Sequence, residues 1–107
     1  MKKLKKTNYK ITNGSSFAKL SLNVSLNRLV DLLGQVSFLG SGDNKIQLEW
    51  FFYESSERAF SIYDYKSQKL IHEIDNWHVG GKGMKKEEII EELNKLGFYE
   101  NEIKIED

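Results

Sequence analysis

The chain has 107 residues with no Cys and no Pro, and its 16 Lys+Arg are balanced by 16 Asp+Glu. That length fits one domain, the missing Cys excludes a disulfide framework, a Cys-based zinc site and a thiol nucleophile, and zero net charge argues against both a dedicated DNA binder and a DNA mimic. No apolar run approaches the roughly 18 residues of a membrane helix, and no apolar leader opens the chain, so a cytoplasmic protein without membrane contact is expected.

The first ten residues hold Lys2, Lys3, Lys5, Lys6 and Lys10 and no acid. We read residues 1–14 as a flexible basic arm ending in the Asn13-Gly14 turn signal, and residues 15–107 as a single domain. From 16 to 24, Ala18, Leu20, Leu22 and Val24 alternate with polar residues, which predicts a half-buried strand. Ser25 can cap a helix in which Leu26, Leu29, Val30 and Leu33 share one face, and Gly34 can end it. Gly-Ser-Gly-Asp-Asn at 40–44 predicts a loop.

Residues 45–54 make the strongest strand pattern. Ile46, Leu48, Trp50 and Phe52 form one face; Lys45, Gln47, Glu49, Phe51 and Tyr53 form the other, polar at first and then aromatic. A hairpin at 54–58 leads to a strand over 59–66. A third strand is expected over 69–79, ended by Gly80-Gly81-Lys82-Gly83. A helix over 85–96 carries Ile89, Ile90, Leu93 and Leu96 on one stripe, with Glu87 and Glu88 at the positive end of its dipole. Gly97 suits its C-terminal stop, and Ile103 and Ile105 predict a short last strand. The expected fold is α+β, an antiparallel meander sheet in the order β-α-β-β-β-α-β with two helices packed on one face.

Two segments stand out chemically. In Tyr63-Asp64-Tyr65-Lys66, strand geometry puts both tyrosines on one face, where Phe51 and Tyr53 can join them. Such a face can stack bases or grip a protein, or it can be ordinary cross-strand pairing. In Asp75-Asn76-Trp77-His78-Val79-Gly80-Gly81-Lys82-Gly83, exposed backbone amides of the glycines and Lys82 can cradle an anion, with Trp77 and His78 against a ligand. The alternative is a flexible connector with Trp77 in the core. The segment is neither a Walker loop nor a dinucleotide fingerprint. With two His and no Cys, a metal site is not expected. Ser61, His78 and Asp64 form a triad only on paper, with no nucleophile elbow, so no catalytic residues are assigned.

Leu29-Val30-Asp31-Leu32-Leu33-Gly34, Leu48-Glu49-Trp50, Ile62-Tyr63-Asp64-Tyr65-Lys66 and Trp77-His78-Val79-Gly80-Gly81 occur in this order. Together they resemble a family of small bacteriophage and mobile-element proteins of the pattern LvxxFGxP, EWxxxFxDGxxxxIYDyK, WHIGG. The resemblance spans residues 26–81. The chain departs from it after Gly34, where Gln35-Val36 replace a usual Pro, and at the hairpin, where Ser55-Ser56-Glu57-Arg58 stand in place of Asp-Gly. It implies a counter-defence protein acting in the cytoplasm of an infected bacterial host.

The function expected is non-enzymatic. The first reading is a nucleotide sponge that sequesters an immune signal. Its ligand-binding residues would be Tyr63, Tyr65, Lys66, Trp77, His78, Gly80, Gly81 and Lys82, with no cofactor. The alternative is an inhibitor that binds a host effector, a CRISPR or restriction nuclease, through the aromatic sheet face. A homo-oligomer is expected, because a neutral chain has little self-repulsion and a small domain rarely encloses a ligand alone. Nucleic acid is not the expected partner.

Overall fold

The computed structural model describes residues 2–3, 16–39, 48–55, 57–65 and 70–106. The strands are β1 (Lys2–Lys3), β2 (Ser16–Leu22), β3 (Phe38–Leu39), β4 (Leu48–Ser55), β5 (Arg58–Tyr63), β6 (Trp77–Lys82) and β7 (Ile103–Ile105). The helices are α1 (Leu26–Leu33) and α2 (Lys86–Leu96). The sheet runs β1-β4-β5-β6-β2-β7, with β3 also on β4, and every pair is antiparallel. β4, β5 and β6 form the expected meander. β2 lies against β6, and β7 closes the far edge.

Both helices pack on one face, as their apolar stripes require. Leu29 and Leu33 of α1 and Ile89 and Leu93 of α2 join one core with Leu20, Leu22, Leu48, Trp50, Phe52, Phe60, Ile62, Trp77 and Val79. The β2 and β4 residues in that list, Leu20, Leu22, Leu48, Trp50 and Phe52, have the parity read from the sequence, so alternation decides which face of those strands is core.

Local chemistry sets the helix ends. The Ser25 hydroxyl accepts from the Arg28 amide at 3.2 Å, and Gly34, at φ 74°, donates to the Val30 carbonyl at 2.8 Å. Gly97 takes the left-handed conformation at φ 113°; behind it, the amide of buried Phe98 reaches the Leu93 carbonyl at 3.1 Å. The Arg28 guanidinium then ties α1 to the C-terminal segment. It meets both Glu102 carboxylate oxygens, at 3.0 and 3.1 Å, and the Gly97 carbonyl at 3.0 Å.

Three expectations need correction. The strand expected over 69–79 is β6, Trp77–Lys82; a 3-10 turn at Ile71–Glu73 precedes it, and residues 66–69 lie outside the described residues. Gly80 and Gly81 therefore do not end a strand. They sit inside one that is paired on both sides, with β2 and with β5. Helix packing explains Gly81: a Cβ there would lie 2.9 Å from the Ile89 Cδ1, so its absence lets α2 approach the sheet. The basic arm, expected to be flexible over 1–14, is described only at Lys2 and Lys3, which are sheet and pair with Tyr53 and Phe52 of β4. Residues 4–15 and the expected loop at 40–44 lie outside the described residues. Finally, the strand expected over 59–66 ends at Tyr63.

Candidate functional site

The face of the sheet turned away from the helices is set by register. Glu49 of β4 lies opposite Tyr63 of β5, Tyr63 opposite His78 of β6, His78 opposite Ser21 of β2, and Ser21 opposite Lys104 of β7. This makes one cross-strand row of carboxylate, phenol, imidazole, hydroxyl and amine. The neighbouring row is Phe51, Ser61, Gly80 and Phe17.

His78 is the centre of a ring cluster. Its imidazole lies 4.9 Å from the Phe17 ring, 5.8 Å from Tyr63 and 5.9 Å from Tyr65, centroid to centroid. Tyr63 and Tyr65 meet edge-on at 6.5 Å. These separations are those of mutually attractive aromatic pairs. Phe17 is 42% exposed and Tyr65 41%, while Tyr63 and His78 are half-buried. Towards the middle of β4 and β5 the same face closes, with Phe51, Ala59 and Ser61 buried.

Burial controls the acid–base character of Glu49 and Tyr63. It pushes the Glu49 carboxyl above its ordinary value, and a hydrogen bond from the Ser61 side chain pulls it partly back. Burial, then the Glu49 charge, then Tyr65 raise the Tyr63 phenol to about 12. Tyr63 is thus held protonated, as a hydrogen-bond donor and an apolar wall.

The expected site residues divide. Tyr63, Tyr65 and His78 come together, and Lys82 is half-buried on the same face, opposite Ala59. Lys66 lies outside the described residues. Trp77 points the other way. It is fully buried, its indole N–H donates to the Val24 carbonyl at 3.0 Å, and its ring meets Trp50 edge-on at 5.6 Å. It is a core residue and offers no surface to a ligand. Gly80 and Gly81 lie in a strand with a neighbour on each side, so their backbone groups serve the sheet ladder and form no anion cradle.

The paper triad also dissolves. Asp64 is buried, with Oδ1 accepting from the Leu48 amide at 2.8 Å, and so holds the start of β4. Ser61 is engaged with Glu49. Among the described residues, no group of three or more His, Cys, Asp or Glu side chains converges on a metal position. No helix among them is long and apolar enough to cross a membrane.

Sequence reasoning missed Phe17, Glu49 and Ser61 as members of this surface. Parity placed Glu49 beside Phe51, but only the β4–β5 register sets it against Tyr63. Phe17 precedes the alternating run, and a bulge between Phe17 and Leu20, where Lys19 has φ 59°, separates the two. Open depressions of about 430 and 530 Å³ lie elsewhere, at Asn23, and involve none of the expected site residues. No protein-family model, curated protein or solved structure matches the chain.

Proposed function

We propose that this protein is a non-enzymatic binding protein that holds a partner protein against the face of its sheet turned away from α1 and α2, with the ring cluster around His78 as the anchor. In the phage setting that the family resemblance implies, the partner is a host defence effector. The observation that carries the reading is the cluster itself: four rings gathered from three segments, two of them about two-fifths exposed. Partly exposed aromatic side chains held rigidly by their neighbours are the usual anchors of protein interfaces. They bury large area at little entropic cost.

The nucleotide reading keeps its stacking half, since Tyr65 and Phe17 are about two-fifths exposed. Its phosphate half has lost the glycine amides, which now serve the ladder. That loss ranks a protein partner above a nucleotide.

The test is a comparison of wild type with Phe17→Ser and Tyr65→Ser, two changes at partly exposed positions. Each variant is challenged with purified candidate effectors and with a panel of mononucleotides and cyclic di- and trinucleotides. A stoichiometric complex formed by wild type and lost in both variants supports the reading. A complex indifferent to both variants refutes it. A thermal shift with one nucleotide class, lost in the variants, transfers the site to a nucleotide.

A further inference from the structure

The sheet edge formed by β7 carries an inference of its own. β7 joins β2 through the register Ser21–Lys104, flanked by the Glu106 amide on the Lys19 carbonyl at 2.7 Å and the Asn23 amide on the Glu102 carbonyl at 2.9 Å. Residues 102, 104 and 106 therefore turn their backbone groups inward. Antiparallel geometry then turns the N–H and C=O of Ile103 and Ile105 outward, where no strand among the described residues meets them.

This edge is apolar on one side and charged on the other. Ile105 is 55% exposed, and with Ile103 and Ile90 of α2 it lines the depression of about 430 Å³. On the side turned away from α1 and α2 stand Lys104 and Glu106, and the Glu106 carboxylate is held by the Ser21 hydroxyl at 2.9 Å. Open edges normally carry a charge against self-pairing, and Lys104 does oppose one register. A two-fold axis through Lys104 would set Lys104 against its own copy, and Glu102 against Glu106. An axis through Ile105 removes both conflicts. It places Ile105 on Ile105, joined by two outward backbone hydrogen bonds, and it sets Lys104 of each copy directly opposite Glu106 of the other.

We propose that a second copy of this chain pairs antiparallel with β7 about an axis through Ile105, so that two sheets become one. Charge complementarity argues for a second copy as the occupant, because the segment Lys104-Ile105-Glu106 is its own complement in this register, and an axis through Ile103 would instead have to pair the 3-10 turn at Glu100–Glu102 as a strand. Both helix pairs then lie on one side of the joined sheet. Both His78 clusters lie on the other, where they present a doubled surface to a partner.

The test is sedimentation of the full chain over a dilution series, with K104E, E106K and the double exchange K104E/E106K. Wild type is expected to sediment as a dimer that dissociates on dilution. Each single change, which sets like charges opposite one another twice, is expected to weaken the dimer by at least about tenfold. The double exchange is expected to restore it. A wild-type monomer at the highest concentration overturns the proposal, as does a dimer that neither single change weakens, or a double exchange no tighter than the singles. Amide exchange on the unmodified chain gives an independent readout. The Ile105 amide is expected to be protected in concentrated samples and exposed in dilute ones; exposure at every concentration overturns the proposal without recourse to any variant.

Discussion

Trp77→Phe and Tyr65→Ser separate the core from the surface in the region where the two were hardest to tell apart. The Trp77 indole is fully buried, and its N–H is the donor to the buried Val24 carbonyl. Phenylalanine keeps an aromatic body but removes that donor and part of the ring volume. An unsatisfied buried carbonyl costs about 1–3 kcal/mol. Together with the void left beside Trp50, the expected loss is about 2–4 kcal/mol. In a domain of this length, each kcal/mol is worth roughly 4–8 °C in melting temperature. Trp77→Phe should therefore lower the midpoint by at least about 8 °C, while below that midpoint partner binding persists. Tyr65 lies beyond the end of β5 and is 41% exposed, so Tyr65→Ser should stay within about 0.5 kcal/mol of wild type yet lose the partner. The measurements are thermal unfolding by circular dichroism and complex formation below the midpoint. The reasoning fails if Trp77→Phe is as stable as wild type and loses binding, or if Tyr65→Ser unfolds the protein.

Two further predictions concern backbone and charge. Gly83 has φ +65°, and an added Cβ would overlap the Glu57 backbone carbonyl, which has little freedom to retreat. At Gly81 the obstacle is the mobile tip of Ile89, so Gly83→Ala should destabilise more than Gly81→Ala, by at least about 1–2 kcal/mol; chemical denaturation of the pair checks the order, and equal midpoints would refute it. Burial lifts the folded pKa of Glu49, so its contribution to stability is complete below its ordinary value of 4.5 and lost as pH rises through the folded value. Glu49→Gln should therefore raise the melting temperature at neutral pH and leave it unchanged in acid. The acid limb belongs to Glu88 and Glu102, which Arg58 and Arg28 hold below the ordinary value and whose contribution is lost as pH falls through their folded values. A lower neutral-pH midpoint for Glu49→Gln would show that the Ser61 bond to the ionised carboxylate outweighs the cost of burying it.

The elements legible in the sequence were those whose signals are local. Ser25 and Gly34 bracket α1, Gly97 ends α2, and period-two alternation assigned the core faces of β2 and β4. The misread element was β6. Two adjacent glycines followed by Lys82 and Gly83 have the composition of a loop, because glycine costs backbone entropy in a strand. Tertiary packing overrides that cost here: Trp77 and Val79 anchor the strand in the core, neighbours on both sides hold its backbone, and the bare Cα at Gly81 admits Ile89. No local pattern reports where the Ile89 side chain of a later helix will lie, so the sequence alone leaves these glycines looking like a ligand loop.

Register explains what the two most distinctive blocks of the sequence have in common. Ile62-Tyr63-Asp64-Tyr65 and Trp77-His78-Val79 belong to neighbouring strands, with Ile62 opposite Val79 and Tyr63 opposite His78. Stability accounts for the inward residues: Ile62, Trp77 and Val79 are core, and Asp64 fastens the start of β4. Stability has no comparable need for the outward ones. Tyr65 is two-fifths exposed, and the imidazole of His78 stands among three rings on a face that no described helix covers. An exposed ring on a sheet face gains little from folding alone, and it gains most when a second surface removes it from water. The residues that folding explains least thus fall in one patch, the one that carries the proposed interface.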